Sequence, residues 1–125
     1  RHTRSLCDWS SDVCSSDLIV AMVLNSPKLR QMWEDELAQM RDRIKAMRQG
    51  LKQKLAAAGV QQDFSFIEAQ RGMFSYSGLT ADQVSKLQEQ DGIYALSTGR
   101  ICVAALNTKN IDRVAQAIAR VVMSK

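Results

Sequence analysis

The sequence predicts an α/β fold: a long connecting helix plus a small C-terminal domain with helices packed on a short mixed sheet. Three observations carry this expectation. An apolar stripe recurs at the helical period from Leu29 to Leu55. Four short segments, residues 63–67, 72–78, 92–96 and 100–105, are apolar or alternate in polarity as strands do. Two further amphipathic segments follow Thr80 and Asn107 or Asn110, so helices and strands interleave and pack in layers.

The first helix is expected over residues 27–58. Ser26 can cap it, and Pro27 suits a first turn, where a missing N–H loses no partner. Leu29, Trp33, Leu37, Met40, Ile44, Met47, Leu51 and Leu55 recur at about 3.7 residues, a helical period and not the 3.5 of a coiled coil. Gly59 is the expected stop, and Gly50 marks a bend. At 1.5 Å per residue such a helix runs ~48 Å, whereas a compact chain of this length is only ~36 Å across. It should therefore project from its domain or bridge to further mass.

Beyond it, "DFSFI", "GMFSYSG", "GIYAL" and "RICVAA" are the strand candidates. Thr80 and Gln83 form a capping box for a helix that carries Val84 and Leu87 and stops at Gly92. The last helix sets Ile111, Val114, Ala115, Ile118 and Val122 on one face.

Composition excludes several function classes. With 46% hydrophobic and 24% charged residues the chain is globular in type and not disordered. Its net charge of +4 is spread among acids, as in "WEDELAQMRDRIKAMRQGLKQK", so a nucleic-acid partner is not expected. Cys7, Cys14 and Cys102 with the single His2 give no metal ligand set. Sparse, odd cysteines suit a reducing cytoplasm. The run "LIVAMVL", residues 18–24, is too short to span a bilayer and reads as a buried segment, with no membrane partner expected. Residues 1–18, rich in Ser, Asp and Cys without periodicity, read as a non-native leader.

Few residues invite chemistry. Arg100 opens a strand on the side shared with Cys102 and Ala104, whose small groups leave space before the guanidinium. Its planar fork can hold a carboxylate through two parallel hydrogen bonds. The commoner role of such a residue is a strand-end arginine reaching solvent or a neighbouring acid. Phe74 and Tyr76 share one strand face, as a pocket wall or as core. Arg41, Arg43, Lys45 and Arg48 read as a solvated helix face, and Cys102 as a buried filler. Spacing alone assembles no catalytic set. A non-catalytic helical interaction module, pairing through the long helix, is the alternative reading.

"QMWEDELAQMRDRIKAMRQGL", "DFSFI", "QRGMFSYSGLT", "GIYALSTGRICVAALN" and "VAQAIARVV" together resemble the C-terminal part of the class I aminotransferases. The likeness is to the bacterial aspartate/aromatic amino acid aminotransferase branch, and it runs from residue 19 to about 125. The resemblance implies part of a type I pyridoxal-phosphate transferase fold: 19–58 as the interdomain helix region and 59–125 as the small domain, after the leader 1–18. It implies a cytoplasmic homodimer that moves an amino group between an L-amino acid, aspartate or aromatic, and a 2-oxo acid, with pyridoxal 5'-phosphate as electron sink. Under it, Arg100 grips the substrate α-carboxylate and Phe74 lines the pocket. The small domain swings to close the site. The Schiff-base lysine and phosphate-binding residues belong upstream, so no catalytic or cofactor-binding residue is expected here, and this stretch alone is expected to be inactive. Arg71 departs from the pattern, where relatives often carry asparagine.

Overall fold

Residues 15–124 are described by a computed structural model. They divide into two units, one ending at Arg41 and one beginning at Asp42. Residues 1–14 of the expected leader lie outside the described residues.

The first unit opens with α1 (Ser15–Asn25), which holds no buried residue. This corrects the reading of "LIVAMVL" as a buried segment: Leu18, Ile19, Val20, Met22 and Leu24 are all exposed. The run is apolar around its whole circumference, so no single face is set aside for burial. Ser26 separates α1 from α2 (Pro27–Ala57), and its carbonyl accepts from Arg30 N at 2.8 Å. Its hydroxyl receives Leu29 N at 3.5 Å, as expected of a cap.

The stripe of α2 changes character along its length. Leu29, Trp33, Leu37 and Met40 are exposed, while Ile44 and Met47 are partly covered and Leu51 and Leu55 are buried. The helix ends by geometry that Gly59 makes affordable. At φ +85° it lets Gly59 N reach Ala56 O (3.1 Å) and Val60 N reach Leu55 O (3.3 Å). Those bonds satisfy two terminal carbonyls, and Val60 joins Leu55 in the core. Gly50 lies within the unbroken span of α2. A Cβ there would lie 3.0 Å from Ile111 Cδ1, so the residue admits the start of the last helix.

Among its described residues the second unit contains two strands, not the four expected. "DFSFI" is not a strand: the Asp63 carboxylate accepts from Ser65 N and Ser65 Oγ, both at 2.8 Å, and starts α3 (Ser65–Ala69). Phe64 and Ile67, three apart, then turn inward together. β1 (Phe74–Tyr76) pairs antiparallel with β2 (Arg100–Cys102), so the sheet is two-stranded and not mixed. "GIYAL" keeps the alternation of a strand, with Ile93 and Ala95 partly buried and Tyr94 and Leu96 exposed, but no strand pairs with it among the described residues. "RICVAA" stops being a strand at Cys102, where Val103–Ala105 forms a 3₁₀ turn.

α4 (Ala81–Asp91) carries the expected capping box. Thr80 Oγ1 accepts from Gln83 N (3.3 Å) and Gln83 Oε1 accepts from Thr80 N (2.9 Å), and Gly92 closes the helix. α5 (Ile111–Met123) follows an exchange between both candidate caps: Asn110 Oδ1 accepts from Asn107 N, and Asn107 Oδ1 accepts from Asn110 N. α5 packs on α4, and Leu51, Leu55, Ile67, Leu87, Val103, Ile118 and Val121 form the fully buried centre. Burial of each large aliphatic side chain contributes about 1.5–3 kcal/mol.

Candidate functional site

The geometry of the strand pair follows from its hydrogen bonds. Ser77 N donates to Gly99 O and Val103 N to Met73 O, each at 2.8 Å. Hydrogen-bonded pairs therefore fall at 73/103, 75/101 and 77/99, and the pairs Phe74/Cys102 and Tyr76/Arg100 lie at the closer, non-hydrogen-bonded positions. All four of these residues point to one side of the ladder, and all four are exposed. Ser75 faces the other way and is buried, and Ile101 beside it is partly buried.

Two sequence expectations change here. Phe74 and Tyr76, at 55% and 54% exposure, are not core residues. Cys102 is not a buried filler: alternation sets it on the open side, across from Phe74. Arg100 stands diagonally from Phe74, at the roughly 7–8 Å separation that long side chains bridge. Among the described residues no hydrogen bond or ion pair engages its guanidinium. A cavity of about 280 Å³ lies between α4, α5 and β2 and reaches Cys102, Ile93 and Ile118. Neither Arg100 nor Phe74 lines it; the side they share is open.

Gly99 sets the position of Arg100. Its φ of +85° favours glycine, and an added Cβ would meet Leu79 O at 2.8 Å. Its carbonyl accepts from both Ser77 N (2.8 Å) and Ser77 Oγ (2.6 Å). The backbone entering β2 is thus held from two directions.

Sequence reasoning missed the supports on α2. Arg48, read as solvated, is 3% exposed. Its Nη1 donates to Ile67 O (2.8 Å) and Ser75 Oγ (3.0 Å), and its Nη2 to Gly72 O (2.7 Å) and Phe74 O (3.0 Å). Burial pushes its pKa below the ordinary arginine value, and the charge of Arg71 adds to this. Ser75 Oγ in turn donates to Gln70 Oε1 at 2.6 Å, and Gln70 brackets the outer edge of β1 by accepting from Tyr76 N (2.8 Å) and donating to Tyr76 O (3.2 Å). Arg43 donates to Leu106 O (2.7 Å) and Ala104 O (2.9 Å), just beyond β2. A signal for Arg48 existed: it lies four residues after Ile44 and three before Leu51, inside the apolar stripe.

A sequence model of "Aminotransferase class I and II" matches residues 3–118. The chain belongs to this aminotransferase family. Aspartate aminotransferase of Pseudomonas aeruginosa is 60% identical over 103 residues, which cover 82% of this chain and 26% of that protein. The crystal structure of the aromatic-amino-acid aminotransferase from Burkholderia pseudomallei, covalently bound to pyridoxal phosphate, is 63% identical with a TM-score of 0.88. It covers 92% of this chain and 29% of that one. A psychrophilic aromatic amino acid aminotransferase from Psychrobacter sp. B6, cocrystallised with aspartic acid, is 44% identical with a TM-score of 0.87, covering 93% and 29%. The chain thus spans about a quarter of the length of the curated relatives it matches. Its helices and two-stranded antiparallel sheet match the C-terminal part of aminotransferase structures. Among its described residues no helix is long and apolar enough to cross a membrane.

Proposed function

We propose that this chain is the C-terminal part of a cytoplasmic, homodimeric aminotransferase that moves an amino group between an L-amino acid, aspartate or aromatic, and a 2-oxo acid. Within it, Arg100 holds the substrate α-carboxylate and Phe74 walls the pocket beside it. One observation carries the reading: an exposed guanidinium with no partner among the described residues shares an open strand side with an exposed Phe74 ring. A carboxylate docked there gains two parallel charged hydrogen bonds, and the neighbouring rings shield those bonds from water. Membership of the aminotransferase family, and relatives that are aspartate and aromatic-amino-acid aminotransferases, support the reading of the whole enzyme.

Pyridoxal phosphate is the cofactor proposed for the whole enzyme. The open strand side carries Phe74, Tyr76, Arg100 and Cys102 and no lysine, so none of these residues can supply the amine that binds the cofactor covalently. Lys52 and Lys54 are paired with Glu68 and Asp112 on other elements. On this reading the chain contributes substrate binding and is inactive by itself.

The test is Arg100→Lys in the full-length, cofactor-loaded enzyme. The exchange keeps the charge and removes the fork, so kcat/KM for amino acids should fall on the order of a hundredfold, about 2.7 kcal/mol, with cofactor absorbance unchanged. Unaltered turnover of amino acids would show that the carboxylate binds elsewhere.

A further inference from the structure

We propose that Arg48 is a positioning residue for the substrate face: from inside the domain it fixes the strand whose outer side chains meet the substrate. The inference rests on the carboxylate reading of Arg100. Arg48 touches neither Arg100's outer side nor any group on the open face; it acts through β1.

The argument is geometric. The strand pair is only three residues long on each arm, and its outer side is open, so no packing from that side fixes it. Isolated two-stranded ladders of this kind are marginal, so the direction in which Phe74 and Arg100 point must be set from the inner side. The Arg48 guanidinium supplies that constraint. It binds the α3 end at Ile67, the connecting turn at Gly72, and β1 itself at Phe74 O and Ser75 Oγ. Three stretches of chain are thereby tied to one rigid plane on α2. Ser75 extends the tie to Gln70, which holds Tyr76, the residue directly across from Arg100. Since Ser75 and Ile101 form a hydrogen-bonded pair, displacement of β1 carries β2 with it. A lysine cannot replace this group, because one ammonium offers three donors from a single point and the four acceptors lie along a fork.

The experiment compares, in the full-length cofactor-loaded enzyme, an amino acid with the primary amine formed by removing its α-carboxylate. Arg48→Lys should lower kcat/KM for the amino acid on the order of tenfold or more, through KM, while leaving the slow reaction of the amine nearly unchanged. Ser75→Ala, a mild change that leaves the Arg48 charge in place, should shift the ratio the same way by a smaller factor. Amide exchange at Phe74–Tyr76 should quicken in both variants. Equal losses for amine and amino acid would reduce Arg48 to a general structural role and overturn the inference, as would an unchanged ratio in both variants. Arg100→Lys run in parallel separates the two layers. If it moves the ratio and the Arg48 and Ser75 variants do not, positioning fails alone; if it does not move the ratio, the carboxylate reading fails and this inference with it.

Discussion

Gly99 lies against Tyr76: a Cβ built on the glycine would sit 3.3 Å from the ring's Cε2 and 2.8 Å from the Leu79 carbonyl oxygen. The contact with backbone cannot relax by a side-chain rotation. Gly99→Ala should therefore destabilise the chain by about 1–3 kcal/mol, from the strained φ alone or with displacement of Leu79. Urea unfolding gives the answer. A midpoint equal to the parent's would mean that neither the turn nor the contact constrains this position.

Arg43→Met leaves the Ala104 and Leu106 carbonyls without their charged donor. Leu106 is buried, so water replaces the lost bond poorly, and a loss of roughly 1–3 kcal/mol is expected. Lysine at the same position should recover part of it. Full stability in Arg43→Met would assign the fixing of the 3₁₀ turn to apolar packing alone.

Acid should weaken the fold through Glu68 and Asp63. The hydrogen bond from Lys52, and then its charge, lowers the Glu68 pKa; bonds from Ser65 N and Oγ lower that of Asp63. A lowered carboxylate stabilises the folded state above its ordinary value, and that contribution disappears as pH falls through the folded one. Lys52 is raised, chiefly by its bond to Glu68, so its share is complete below its ordinary value and is lost as alkali passes the folded one. Both groups are partly solvated, so the effect is modest and screened by salt. Following urea midpoints from neutral to acidic pH, the Glu68→Gln, Asp63→Asn double variant should show a flatter profile. An identical acid slope would locate the titration elsewhere.

Cys102 offers a chemical probe of the open side, since its thiol is exposed across from Phe74. In the full-length enzyme, alkylation at this position should slow when a dicarboxylate substrate analogue is bound, as read by peptide mass mapping, which separates it from other cysteines. Equal alkylation with and without the analogue would argue that the ligand does not cover this strand.

What the sequence made legible was local. The cap at Ser26, the box of Thr80 and Gln83, and the stop at Gly59 depend on neighbours within a turn, and each stands in the structure. The two strands that formed are those with a partner; the alternation of residues 92–96 specifies two faces but not a neighbour, and none pairs with it. "DFSFI" misled because its Phe64 and Phe66 alternate, while Asp63 had already bent the chain toward a helix. Alternation fixed which side Arg100 and Phe74 take, but it was the family resemblance, not the pattern, that singled them out. The acceptors of Arg48 lie 19 to 27 residues away, a separation no pattern along the chain encodes.

Three of the four acceptors on Arg48 are main-chain carbonyls and the fourth is a serine hydroxyl. The tie therefore senses the route of the polypeptide and is blind to most of the side chains along it. Side chains at positions 74, 76 and 102 can be exchanged without removing any of these four acceptors. The outward face is thus free to vary in chemistry over a frame that stays the same.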